Sequence, residues 1–322
     1  MSLTTLQILI LKCIPGIGNK TILKIGKQID SIDTKDMLLD VLLKNKVKIK
    51  DRNSNEKRNI TIDDLEKYEI YARKIIYDNK KLDIGIISYY EHIFPQILRE
   101  TKNEQGNLED PPLILYYKGN IDLLKMPCVA IIGTREPTDS GRKASIYLAE
   151  GLAKRCFCIV SGLARGCDSA SHIGALNVHG KTLAFLAHGL DIVYPPENKK
   201  LADAILNHDG LLMSEYPQGT NINKYAFVAR DRLQAGLALA TIVIQTDENG
   251  GSMHAANATL NAGKPLYVVK YADYVTENHL KTRGNKLLLK KGAKEINYKI
   301  DFAKLAQEIL SSGKYCIQDS LI

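Results

Sequence analysis

The chain has 322 residues, 45% hydrophobic and 25% charged, an ordinary composition for a globular protein with a full α/β core and one or two small appendages. No apolar run reaches membrane-spanning length and the N-terminal stretch MSLTTLQILILKCIPG lacks a basic leader region, so a cytoplasmic chain with no membrane partner is expected. The net charge of +8 is spread out: Lys and Arg exceed Asp and Glu by 3 in 1–125, by 2 in 126–270 and by 3 in 271–322, which permits nucleic-acid binding without demanding it.

Residues 1–80 read as helical. Two amphipathic stretches flank Pro15-Gly16-Ile17-Gly18, the pattern of an αα-hairpin with a tight turn. The string Ile14-Pro15-Gly16-Ile17-Gly18 resembles a helix-hairpin-helix element, whose glycine turn lets the backbone approach DNA phosphates; a plain turn in a packing or protein-interaction module fits these residues equally. The polar, basic stretch 44–58 predicts a solvated loop that can touch nucleic acid. A further helix is expected at 61–80, a short strand at 84–88, a surface loop at 101–112 and another apolar run at 113–117. Six short apolar strands follow at 129–132, 157–160, 182–186, 211–214, 240–245 and 266–269. Helical segments at 140–155, 167–179, 198–208, 229–238 and 252–262 separate them. Short apolar strands alternating with helices imply a mostly parallel sheet covered on both faces. Helices are expected again at 285–291 and 301–310, and 311–322 reads as a tail. Six scattered cysteines show no zinc spacing and predict reduced, mostly buried thiols; no metal or cofactor is expected.

The turns after the strands carry the chemistry. Gly133-Thr134-Arg135 follows the first strand, the loop Ser161, Gly162, Arg165, Gly166 the second, and Gly250-Gly251-Ser252 the fifth. Arg230-Asp231-Arg232 opens a predicted helix. Backbone N–H groups at such loops and helix starts point at anions, and arginine adds a forked cationic donor. The pattern predicts more than one bound phosphate. Gly180-Lys181-Thr182 is no P-loop: the glycine needed five residues earlier is Ala175, and the string enters a strand rather than leaving one. The dinucleotide fingerprint is missing after the first strand. Asp168 and His172 share a helix face at i,i+4 spacing, but no nucleophile or metal cluster accompanies them, so a capping carboxylate and a satisfied histidine are expected. Ser161 lacks a nucleophile elbow, which leaves acyl chemistry unsupported.

Six ordered segments, IIGTR (131–135), SGLARGCDSASH (161–172), GLDIVYPPEN (189–198), SEYPQGT (214–220), FVARDRLQAGL (227–237) and GSMHAA (251–256), closely resemble the DNA-processing protein A family, also called DprA or Smf. The resemblance implies a Rossmann-like domain over 81–310, related to lysine-decarboxylase-like nucleotide-binding folds, behind a helical domain over 1–80. It implies a non-catalytic homodimer that binds single-stranded DNA, protects it and helps load a RecA-type recombinase during natural transformation. By position, the phosphate contacts would be Arg135, the Gly162–Gly166 loop, Arg230 and Arg232, with Lys199 beside the matched Asn198. The sequence departs from the pattern where R-N-R becomes Arg230-Asp231-Arg232 and where V-P-G becomes Val268-Val269-Lys270. The 53 residues after Val269 are too few for the winged helix that many members carry. A sensor or hydrolase of small nucleotides on the related fold is the alternative, weakened because no glutamate follows Asn249-Gly250-Gly251-Ser252-Met253 within reach.

Overall fold

The computed structural model describes residues 3–29, 32–50, 57–100, 111–220, 222–297 and 299–312. The N-terminal quarter is built from α1 (Thr5–Cys13), α2 (Asn19–Gly26), α3 (Lys35–Lys44), a two-stranded antiparallel hairpin of β1 (Lys48–Lys50) and β2 (Lys57–Asn59), and α4 (Ile62–Lys81). The hairpin replaces the loop expected over 44–58. Alternating Val47 and Ile49 are buried while Lys46 and Lys48 face water, and that period of two is a strand signal the charge run obscured. Helix starts follow local chemistry: Thr4 and Thr61 close capping boxes with Gln7 and Asp64, and the Thr34 hydroxyl accepts from Met37 N–H.

Next come β3 (Gly85–Ser88), α5 (Gln96–Arg99) and β4 (Ile114–Gly119). The main alternation runs β5 (Cys128–Ile132), α6 (Asp139–Ala153), β6 (Cys158–Ser161), α7 (Cys167–Asn177), β7 (Thr182–Leu186), α8 (Lys199–Asn207), β8 (Leu211–Ser214), α9 (Lys224–Leu237), β9 (Ala240–Val243), α10 (Ser252–Asn261) and β10 (Leu266–Val269). It closes with α11 (Tyr274–Glu277), α12 (Arg283–Lys290), β11 (Lys294–Ile296) and α13 (Phe302–Ser312). The nine-stranded sheet has the order β11-β10-β9-β5-β6-β7-β8-β4-β3. All strands from β11 to β8 are parallel neighbours, and β4 and β3 add antiparallel edges. The doubly covered α/β sheet expected from the apolar runs is therefore present. β11 was not anticipated, because three residues reading Lys-Glu-Ile carry almost no apolar signal.

Helices cover both faces because the strands are apolar on both sides: β5 and β7 are buried along their whole length. One core lies under α6 and α13, another under α5 and α9. The largest joins Ile8, Leu11, Ile22 and Leu65 of the helical N-terminal region to Ile114, Tyr116, Ala184 and Leu212 of the sheet. The helical region thus packs on the sheet through a shared core. No helix among the described residues is long and apolar enough to cross a membrane. The tail expected at 311–322 and the loop at 101–112 lie almost wholly outside the described residues.

Candidate functional site

In a doubly wound sheet the chain leaves the first strand in one direction and later returns to its other side, and ligands favour the crevice at that switch. Here the switch lies between β5 and β9. Gln245, fully buried, fills it. Its carbonyl accepts from Thr134 N–H at 2.7 Å, its side-chain oxygen accepts from Thr138 N–H at 2.9 Å, and its amide donates to the Thr138 hydroxyl at 2.9 Å. Beside it Asn285 donates to the Ile244 and Val269 carbonyls and accepts from Thr246 N–H. At this switch the loops after β5 and β9 are tied together by side-chain amides. Sequence reasoning missed both; the available signal was Gln245, a polar residue ending an otherwise apolar run.

Gly133 belongs to the same junction: a Cβ there would stand 2.5 Å from Cys167 Sγ and 3.0 Å from the Gln245 carbonyl. Thr134 is spent on structure, since its carbonyl accepts from Cys167 N–H at the start of α7. Arg135 is the first residue to emerge. It is exposed, carries no ion pair among the described residues, and lays its guanidinium over the Phe227 ring at 5.2 Å. Phe227 is half-buried, and Tyr194, 37% exposed, packs beside it in a tilted arrangement with ring centroids 5.9 Å apart.

The loop after β6 supports this line from below. Gly166 adopts φ +76°, and a Cβ would meet the Thr134 and Arg135 carbonyls at 2.5 Å, so only glycine lets the two loops touch. Leu163 is also left-handed at φ +57°, held by full burial and by the Asn198 side-chain amide donating to its carbonyl at 2.8 Å. That bond brings Lys199, exposed at the start of α8, beside the loop. Arg165 is exposed but ion-paired with Glu197. Arg135, Arg165, Gly166 and Lys199 therefore come together on one surface.

Four predicted contacts do not join them. Ser161 is buried, its hydroxyl donating to the Ile131 carbonyl at 2.7 Å. Gly162 is buried against the Arg230 guanidinium. Arg230 is itself only 5% exposed and donates to the Gly162 and Phe185 carbonyls, both at 2.7 Å, and to Asp231 at 3.0 Å. Arg232 holds both Glu215 carboxylate oxygens, at 2.9 and 2.7 Å, in an ion pair shielded from solvent. The reason is helical position. α9 begins five residues earlier than expected because Asn223 caps it, accepting from Ala226 N–H. The arginines thus sit mid-helix and pin strand ends, one at β6 and β7 and one at β8, on divergent faces. Of the third glycine loop, Gly250 packs against Thr246 while Gly251, at the start of α10, faces open space beside exposed backbone; Ser252 is half-buried.

Burial shapes the charges beneath the surface. Asp168 is raised from the ordinary carboxylate range by desolvation, against the pull of Arg230, and accepts from Gly162 N–H at 3.1 Å. Asp231 is pushed to about 6 by burial, with Arg230 opposing. His172 drops to about 3 through burial and then Arg230, and its Nδ1 pairs with the Thr182 hydroxyl at 2.7 Å. Asp168 and His172 bond different partners, as a structural pair does.

The model of the family "DNA recombination-mediator protein A" matches residues 85–307. A DNA processing protein DprA of Streptococcus pneumoniae is 40% identical over 164 residues, which are 51% of this chain and 57% of that protein. A Protein Smf of Synechocystis is 36% identical over 190 residues, 58% of this chain and 46% of that protein. The chain thus aligns with about half the length of these curated relatives. The X-ray structure of DNA processing protein A from Streptococcus pneumoniae superposes with a TM-score of 0.74 at 28% identity, covering 98% of this chain and 100% of that one. DNA processing protein A from Helicobacter pylori, whose structure concerns a single-stranded DNA binding mode, superposes at 0.58 with 32% identity, over 71% of this chain and 96% of that one.

Proposed function

The chain belongs to the DNA recombination-mediator protein A family, and from that membership we propose that its sheet edge binds single-stranded DNA. The observation that carries the reading is the cluster of Tyr194 beside Phe227 with the Arg135 guanidinium, exposed and without an ion pair among the described residues, over the Phe227 ring. Aromatic faces accept any base, and a guanidinium beside them accepts the adjoining phosphate, so binding depends on the backbone and on stacking rather than on base identity. Arg165 and the main chain at Gly166 and Gly251, with Lys199, supply the remaining anion contacts; exposed Tyr225, under the Lys224 ammonium at 5.3 Å, extends the stacking surface. Within this reading the protein is a non-catalytic, cytoplasmic homodimer that protects DNA and assists a RecA-type recombinase. The small-nucleotide alternative is disfavoured because no glutamate follows Asn249-Gly250-Gly251-Ser252-Met253 within reach.

The test is a salt-titrated comparison of single-stranded DNA, duplex DNA and mononucleotide with the wild type, Arg135→Ala and Phe227→Ala. Single-stranded DNA is expected to bind best, with an affinity that falls steeply with salt and that both substitutions reduce without unfolding. Equal affinity of a folded double variant overturns the site. Release of free adenine from AMP replaces the reading with a hydrolase.

A further inference from the structure

A second group of exposed cations lies in the helical N-terminal region. From Leu3 to Ile29 the chain carries four lysines and no carboxylate. Lys20, Lys24 and Lys27 on and after α2 are exposed, as are Lys44, Lys46 and Lys48 in the approach to β1. None of these six has an ion pair among the described residues. Several neighbouring charges are paired instead: Lys35 with Glu69, Arg58 with Asp64, Arg73 with Glu69 and Lys74 with Asp78.

Tertiary contacts gather the two lysine groups on one surface. Gly16 in the α1–α2 turn, at φ +89°, lies against the Lys48 carbonyl, and the Asn45 side-chain amide donates to Gln28 Oε1 at 2.8 Å. The surface also reaches the sheet edge. Lys12 at the end of α1 donates to Asn19 at the start of α2; burial lowers its pKa, with Glu215 opposing and Arg232 adding, which sets it near the pair at the end of β8. Unpaired lysines crowded together repel one another at spacings inside a Debye length of roughly 8 Å. A polyanion relieves that repulsion, and lysine, a hydrated point charge, suits contacts that ignore base sequence.

We infer that this lysine face is a second contact surface for the phosphate backbone of single-stranded DNA, continuing the track that starts at Arg135 and passes the Lys12 corner. The inference rests on the proposed function and adds where most of the salt-dependent affinity resides. A short oligonucleotide, roughly 6 nucleotides, occupies the sheet edge alone, whereas one of roughly 30 spans both surfaces.

The experiment uses the full chain with Lys20, Lys24, Lys27 and Lys48 all changed to Gln, and a milder Lys20→Gln/Lys24→Gln variant in case the fourfold change perturbs folding. For the long oligonucleotide the fourfold variant is expected to bind about tenfold or more weakly at low salt. Its slope of log K against log salt should fall by about 3, at roughly 0.7 for each phosphate that no longer meets a lysine. The double variant should show about half of that slope change, and the short oligonucleotide should bind both as it binds the wild type. An unchanged slope with the long oligonucleotide, alongside weakened binding by Arg135→Ala, overturns the lysine track and leaves the proposed site standing. Failure of the wild type to bind either oligonucleotide overturns the proposed function itself. If the fourfold variant keeps its DNA binding but no longer captures an acidic protein, the track is also overturned and the face belongs to that partner.

Discussion

The sheet edge and the lysine face hold similar numbers of basic residues and use them in opposite ways. At the edge, buried Arg230 and half-buried Arg232 are matched with Asp231 and Glu215, and Arg165 is matched with Glu197. Along α1 and α2 the lysines stand exposed in a stretch of chain that carries no carboxylate. The first arrangement fixes geometry, because a buried guanidinium with several acceptors locks the strand ends and loops it bridges. The second offers charge without fixed geometry. In the proposed reading one region supplies shape and stacking and the other attraction, and a count of cations does not distinguish them.

The largest expected effect breaks the fixed half. Arg230→Ala removes a buried cation shared by the Gly162 and Phe185 carbonyls and leaves Asp231 and Asp168 uncompensated, so stability should fall by about 3–5 kcal/mol in urea unfolding. A loss below about 1 kcal/mol would mean that Arg230 is not a structural pin. Arg135→Ala should leave the melting temperature unchanged and weaken single-stranded DNA binding by about 10–100-fold, the scale of one charge-assisted contact plus cation–π stacking, measured by fluorescence anisotropy.

Asp231→Asn sharpens the comparison through pH. Burial raises the native pKa of Asp231 to about 6, above the unfolded carboxylate value, so the native state holds the proton more tightly. That stabilisation is full below about pH 4 and is lost as pH rises through 6. The variant lacks this dependence. Its stability relative to wild type should therefore climb between those pH values, on the order of 1–3 kcal/mol, and level off above. A flat difference in denaturation measured across that range would show that Asp231 does not titrate there. The smallest effect is expected from Glu197→Gln, which frees an exposed arginine: stability within about 0.5 kcal/mol and oligonucleotide affinity raised about twofold, with a decrease as the contrary result.

Much of the fold was legible because strands that are apolar on both faces leave little alternative to a covered parallel sheet. β5, β6, β7, β8 and β10 lie within a residue of their expected positions. The misplaced start of α9 had a local cause: Asn223 is a good cap, but Lys224 and Tyr225 lack the apolar spacing that marks a helix start. The hairpin of β1 and β2 was hidden under its lysines. At the site, Arg135, Arg165, Gly166 and Lys199 were readable as exposed loop chemistry. Arg230 and Arg232 were misread, because a motif of two arginines looks the same whether it faces solvent or a strand end.

The sequence by itself determined the parallel sheet, the loops at its carboxyl edge and the family to which the chain belongs. These follow from short-range rules of periodicity, caps and turns, and from motifs in a fixed order. Only the tertiary structure decided which cations are spent on holding the molecule together and which remain for a ligand. Burial and pairing with Asp231, Glu215 or Glu197 depend on how the elements pack, and so does the meeting of Lys48 with the Gly16 turn.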